Sequence, residues 1–328
     1  LIALWSHPQI EQVTTLLRFL PRGKAKVFGY APLIRELGLP LYLPTGEEII
    51  DGLGKYVKKQ EEFSHILLSD CDMHLKEYAG QVWPMFTSYG CPNGCTFCPS
   101  TANQPLRLVV DIDTVKENLN WMAEKGHTSI HFTDEDFFFN TDRAAEICLH
   151  LVGMKTSFQL IALAERHTLQ KFIDSYGSTL LELAGFKLLE VGLESAEVGL
   201  AAKMGKAGPG SAEHLAQACS IPILWLTLTF FPGETIKSLR STGLFLEKWG
   251  LRTEDLYSRI ATNGTVGGLG QFFQPYEGTK GYLDLVKKGI LLTDRPLRLL
   301  PSFIPYSFLK EHISKIRPVR EDELKWYQ

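Results

Sequence analysis

From about residue 82 onward the chain alternates between two hydrophobic rhythms. Short apolar runs rich in β-branched and aromatic residues have strand length. Between them, apolar residues return every three or four positions, as on one face of a helix. "VWPMFTS" reads as a strand running into a cysteine-bearing loop. "DIDTVKENLNWMAEKG" reads as a helix, with Asp113 or Thr114 as cap, Val115, Leu119 and Met122 on one face, and Gly126 as its stop. "TSIHFTDED", "SFQLIALAE", "KLLEVGLES" and "IPILWLTLTFF" are predicted strands. "TDRAAEICLHLVGM", "TLQKFIDSYGSTLLELAG" (closed by Gly185) and "TIKSLRSTGLFLEKWG" are predicted helices, and "LYSRIATN" supplies a sixth strand.

Apolar strands alternating with amphipathic helices mean βαβ units on a parallel sheet. Six units fit a full or partial barrel, an α/β fold. Ligands in such sheets sit at the C-terminal strand ends. The cysteine loop, "TDED" and "LES" all fall there. Residues 1–80 read as a small Rossmann-like α/β appendage, with short strands in "LIALWS", "KVFG", "PLYLP" and "HILLS" and a helical candidate in "GEEIIDGLGKYVKKQEEF". The barrel is expected over 81–263, and a mixed region, suited to cap its mouth and select substrate, over 264–328.

Composition narrows the classes. Of 328 residues, 45% are hydrophobic and 22% charged, so the chain can build a core without disulfide staples. A net charge of -3 disfavours a general nucleic-acid or anionic-membrane binder. No apolar run reaches the ~20 residues of a spanning helix. The start, "LIALWSHPQIEQ", has no basic region or small-residue cleavage site, so no signal peptide is expected. Six cysteines, three of them clustered, suit a reducing compartment with a cofactor site, and the cytoplasm is the expected location.

The cluster is "YGCPNGCTFCPS", with Cys91, Cys95 and Cys98. Pro92, Asn93 and Gly94 bend the backbone so that thiolates can converge. A closed zinc site wants a fourth ligand, and no Cys or His stands nearby in sequence. A thioredoxin-type pair has no use for Cys91. Three soft thiolates suit a [4Fe–4S] cluster with one iron left open, ahead of zinc and redox pairing.

C-x-x-x-C-x-x-C with Phe97 before the last cysteine, following a first strand, resembles the radical S-adenosylmethionine (SAM) family. "FTDEDFF" resembles its acidic end of strand two, and "GLESA" the Gly-x-Glu-Ser end of strand four. "FFPGET" and "QPYEGTKGYLDLVKKG" resemble segments of the subgroup that often carries an N-terminal cobalamin-binding domain, with Glu277 where proline is usual. The resemblance spans residues 82–285. It implies a partial (β/α)6 TIM-like barrel with a cluster on Cys91, Cys95 and Cys98, whose open iron takes the amino and carboxylate groups of SAM. An electron from a donor such as flavodoxin or ferredoxin then cleaves the sulfonium, and the resulting deoxyadenosyl radical abstracts hydrogen from a small-molecule substrate. By position, Thr133, Asp134 and Glu135 are expected to accept from the SAM ammonium. Arg166 would meet its carboxylate, and Glu194 its ribose hydroxyls or ammonium. No residue is singled out for the chemical step on the substrate.

Two alternatives stand beside this reading. One is a cobalamin-dependent radical SAM methyltransferase. Against it, residues 1–80 are short for a cobalamin domain, and "DMH" at Asp72–His74 continues with Glu77 where the D-x-H-x-x-G signature needs glycine. The other is an inactive iron–sulfur or zinc-stabilised scaffold. Cys71, Cys148 and Cys219 are isolated, and Cys148 reads as a core residue. "GTVGGLG" opens no helix in a βαβ unit, so it makes a weak dinucleotide motif. "DFFFN" and "GQFFQPY" read first as core aromatics, with a substrate-pocket lining as the alternative.

Overall fold

The computed structural model describes residues 2–4, 27–29, 41–42, 48–49, 82–98, 100, 108–206, 210–229, 231–250, 271–273, 275–276 and 279–288. The chain divides into two compact units. The first comprises Leu1–Ser64, Thr96–Pro105 and Gln274–Gln328, the second His65–Cys95 and Leu106–Phe273.

The first unit holds a four-stranded sheet: β1 (Ile2–Leu4), β2 (Val27–Gly29), β3 (Leu41–Tyr42) and β4 (Glu48–Ile49), in that order. The first three run parallel, and β4 returns antiparallel to β3. Three strands fall where the hydrophobic runs put them. The fourth lies instead at the start of the stretch read as helical, and "HILLS" lies outside the described residues.

The second unit is built on a parallel sheet with strands in chain order. β5 (Trp83–Met85) pairs with β8 (Ser129–Phe132), then come β9 (Gln159–Ala164), β10 (Phe186–Glu194) and β11 (Ile223–Thr229). A short hairpin, β6 (Ser88–Tyr89) with β7 (Leu108–Val109), stands beyond β5. The two-residue β12 (Gln271–Phe272) adds a sixth strand at β11. Among the described residues β5 and β12 do not pair, so the sheet is an open, partial barrel. The run expected to form the sixth strand, 256–263, lies outside the described residues.

Helices follow the strands as the periodicity predicts: α1 (Ile112–Glu124), α2 (Thr141–Gly153), α3 (Arg166–Tyr176), α4 (Thr179–Ala184), α5 (Val198–Lys203), α6 (Gly210–Ala218) and α7 (Ile236–Trp249). In the first unit, α8 (Lys280–Lys287) is capped by Thr279, whose hydroxyl accepts from the Tyr282 amide. Two details differ from expectation. The cap of α1 is Asp111, whose carboxylate accepts from the Asp113 and Thr114 amides. An acid two or three residues earlier reaches those free amides, while Asp113 and Thr114 are already inside the first turn. The helix expected over 168–185 is two helices, because Gly177 ends α3 at φ 79°.

The two sides of the sheet differ. Ile130, Phe132, Leu160, Ala162, Leu189, Val191, Ile223 and Trp225 pack with Val115, Leu119, Ile147, Phe172 and Phe245 from the helices into the main core. Phe137, Phe138 and Cys148 join it, so two of the three "DFFFN" aromatics are core residues, while Phe139 is only partly buried. On the inner side, Ile161 and Leu188 form a separate small group with Val82 and Leu224.

Candidate active site

Several buried polar groups of the second unit gather where β5, β8, β9 and β10 end. Asp134, fully buried, follows β8. Its carboxylate accepts from the Thr87 amide at 2.9 Å, the Thr87 hydroxyl at 2.8 Å and the Ser88 hydroxyl at 2.7 Å. Burial pushes its pKa up, and the bonds from Thr87 and Ser88 oppose that shift. Both oxygens are thus engaged in fixing the chain that leads into the cysteine loop. The carboxylate thus braces the end of β8 against that chain. Glu135 does similar work one step on, accepting from the Gly90 amide at 2.9 Å immediately before Cys91. Thr133 is exposed, and its amide bonds the Met85 carbonyl at 2.8 Å.

Asp136, which the sequence reading passed over, carries the brace to the next strand. Its carboxylate accepts from the Glu165 amide at 3.2 Å and the Thr168 hydroxyl at 2.9 Å, at the start of α3. Burial raises its pKa to about 6, against the pull of those two donors. Glu165 and Arg166 are thereby fixed at the mouth of β9. Arg166 is the largest fully buried side chain among the described residues. Burial lowers its pKa, while the charges of Glu165, Glu194 and Cys95 oppose the shift.

Arg166 and Glu194, predicted from separate strand ends, are thus brought together with Cys95. The residue that joins them was not predicted. The Lys206 ammonium makes a short ion pair with Glu165 and lies 3.4 Å from Glu194 Oε1. Burial pulls its pKa down, but the Glu194 and Glu165 carboxylates outweigh that and leave it raised. The Glu194 carboxyl is itself pushed up by burial, with Lys206 as the main opposing influence. One ammonium serves two carboxylates, and Glu165 holds it more closely.

Local backbone makes this arrangement fit. β10 slips register between Gly192 and Glu194, and Glu194 sits at φ 59°, the left-handed region that only glycine enters freely. A Cβ at Gly192 would stand 2.7 Å from Lys206 Nζ, so the lysine occupies room that only glycine leaves. Gly205 has φ 80°, and a Cβ there would stand 2.9 Å from the Gly94 carbonyl. The Lys206 turn therefore rests on the cysteine loop. A glycine followed by lysine just after a helix was the sequence signal for it.

Cys91 and Cys95 belong to this unit and Cys98 to the first. None of the three is in a disulfide, and Cys95 is buried and the others partly so. In the first unit, burial raises the pKa of Tyr276, and the Cys98 thiol adds to the rise.

Residues 85–246 match the sequence model described as Radical SAM superfamily, so the chain carries a radical SAM domain. No curated protein sequence is a significant match. Among solved structures, the radical S-adenosylmethionine methyltransferase TsrM from Kitasatospora setae, with tryptophan substrate and aza-SAM bound, is similar. It aligns at TM-score 0.59 and 14% identity, over 87% of this chain and 64% of that one. The cobalamin-dependent S-adenosylmethionine radical enzyme OxsB with aqua-cobalamin bound aligns at 0.58 and 14% identity, over 90% of this chain and 50% of that one. The chain thus spans about two thirds or less of these proteins, and at such identity the likeness shows a shared fold.

A [4Fe–4S] cluster and SAM are the cofactors that go with the superfamily, and the residues fit them. Three thiols on one short loop are the donors such a cluster takes, leaving one iron for a ligand. Among the described residues no three His, Cys, Asp or Glu side chains stand as a single metal ion would need. A four-iron cluster sets its thiols further apart than one ion does.

Proposed function

We propose that the chain is a cobalamin-dependent radical SAM enzyme that transfers a methyl group to a small molecule. Hydrogen abstraction without cobalamin, the reading first drawn from the motifs, stands second. The observation that carries the choice is the extent of the fold likeness. It reaches over 87% and 90% of the chain, beyond the matched domain, in two proteins whose structures were solved with cobalamin. The braced cysteine loop and the Arg166–Glu165–Lys206–Glu194 group speak for an active enzyme rather than a scaffold.

In this reading Cys91, Cys95 and Cys98 hold the cluster, which when reduced supplies the electron for SAM cleavage. Asp134 and Glu135 keep the loop in place through Thr87, Ser88 and Gly90. Arg166 offers a planar guanidinium to a carboxylate. Glu194, at the strand end, offers an acceptor to the ammonium or ribose hydroxyls, and Lys206 opposes the upward push that burial gives its pKa. Buried ionic groups in a water-poor pocket act more strongly than they would in water.

The test is anaerobic reconstitution with iron and sulfide, with and without hydroxocobalamin, followed by SAM carrying a labelled methyl group and a reductant. Retention of the corrinoid through gel filtration, with label passing to it, is expected. Release of 5′-deoxyadenosine without corrinoid uptake would move the assignment to hydrogen abstraction. Cys95→Ala is expected to lose its iron while keeping its far-UV circular dichroism, and full iron content there would overturn the ligand set.

A further inference from the structure

The inner face of the sheet carries a second polar group that the site above does not use. Parallel register places His131 beside Ile161, and Ile161 beside Leu188. It also places Leu163 beside Glu190, and Glu190 beside Leu224. Ile161, Leu188 and Leu224 belong to the inner group, so by the two-residue alternation of strands His131 and Glu190 share their face. Around them the wall is apolar, with Ile161, Leu163, Leu188, Leu224 and Leu226, and Ser129 and Gln159 share the face only at the strand starts.

Within that wall His131 Nε2 lies 3.4 Å from Glu190 Oε2, with the side chains only 26% and 23% exposed. The contact does not meet hydrogen-bond geometry, and Nε2 is buried with no hydrogen-bond partner among the described residues. The Glu190 carboxylate has no other polar side-chain partner there. The two groups form an ion pair only when His131 is protonated, and a polar pair held in an apolar wall without a hydrogen bond gains from a further donor. Nor is it remote from the strand-end site. Along β10 the inner positions run Leu188, Glu190, Gly192, Glu194, and Gly192 has no side chain to wall Glu190 off from Lys206 and Glu194.

The geometry points to His131 and Glu190 as the polar end of a substrate subsite, which takes an amine on an apolar body. An ammonium donates N–H bonds to the Glu190 carboxylate and supplies its counter-charge, and a ring nitrogen of His131 that carries no proton accepts a further one. Ile161, Leu163, Leu188 and Leu224 then contact the apolar part. This inference rests on the reading of the strand-end site as the place where SAM reacts, since the subsite lies directly beneath it.

Benzylamine and toluene make matched probes, alike in ring and differing in the amine. The cluster-loaded protein is titrated with each while the ring ¹⁵N signals of His131 are followed, those signals being identified by their loss in His131→Gln. Benzylamine is expected to shift them, and to bind about tenfold more weakly to Glu190→Gln, as loss of a hydrogen bond to a charged group implies. Toluene is expected to bind both proteins alike. Equal benzylamine affinity in wild type and Glu190→Gln, or unmoved His131 signals, would overturn the subsite. Probe binding needs no turnover, so wild-type protein that binds benzylamine but yields no product from SAM would count against the radical reading alone.

Discussion

One sheet, two faces: β8, β9 and β10 each present apolar residues to the helices and a mixed set to the barrel interior. On the outer face Ile130, Phe132, Leu160, Ala162, Leu189 and Val191 close into a continuous core. On the inner face His131, Glu190, Glu194 and the visiting Lys206 interrupt leucine and isoleucine. The contrast separates two kinds of burial. The outer face gains from removing apolar area from water, roughly 25 cal/mol per Å². The inner face holds charged groups whose desolvation is offset by pairing, as Lys206 pairs with Glu165 and Glu194.

The sharpest break of this contrast is on the outer face. Phe132 is fully buried, with Phe137 at 4.6 Å and Phe186 at 6.2 Å between ring centroids. Phe132→Ala is expected to cost about 4 kcal/mol, read from urea unfolding, since a large cavity opens among rings that cannot collapse. A loss below about 1 kcal/mol would mean that this layer is not a packed core.

Next in size is Lys206→Met, which strands two buried carboxylates and should cost about 3 kcal/mol. Adding Glu165→Gln and Glu194→Gln removes those charges but also the counter-charges of buried Arg166, so it should recover only part of that stability. SAM binding, measured by equilibrium dialysis of reconstituted protein, should stay lost in the triple variant. Recovery of both together would make the group a structural plug.

The outer face was legible in the sequence because it is periodic. Val115, Leu119 and Met122 recur at helical spacing, and each strand shows as an apolar run. The strand ends were legible too, since Cys95, Arg166 and Glu194 fall where a parallel sheet binds ligands. What escaped depends on contacts between distant residues. Nothing local in "TDED" says that Asp134 faces Thr87, 47 positions earlier, or that Asp136 reaches Thr168. Lys206 was missed because its place follows from a helix end, the turn at Gly205 and the absent side chain of Gly192 acting together. His131 and Glu190 lie in separate apolar runs, and only the register makes them neighbours.

A smaller effect tests the backbone at the junction of the two faces. Glu194→Ala and Glu194→Gly both remove the carboxylate, but only glycine relaxes φ 59°. At an ordinary strand position alanine is the more stable of the two by roughly 0.5–1 kcal/mol. Here the order should reverse, with the glycine variant ahead by about 1 kcal/mol. Alanine ahead would mean that the left-handed geometry is not held in solution.

The smallest expected effect lies where polarity intrudes on the outer side. His127 is 1% exposed, stands 5.3 Å from Trp83 and 6.3 Å from Trp121 between ring centroids, and has neither ring nitrogen hydrogen-bonded among the described residues. Burial lowers its pKa, so the folded protein holds the ring neutral where the unfolded chain already takes a proton. Its contribution is therefore fully present above the unfolded value of about 6.5 and is lost as pH falls from there toward the lowered folded value. His127→Phe should leave stability at pH 8 within about 1 kcal/mol and flatten its decline below pH 6.5, measured by urea unfolding at both ends. An unchanged slope would show that protonation of His127 is not linked to folding, and that the indole rings accept a charged ring as readily as a neutral one.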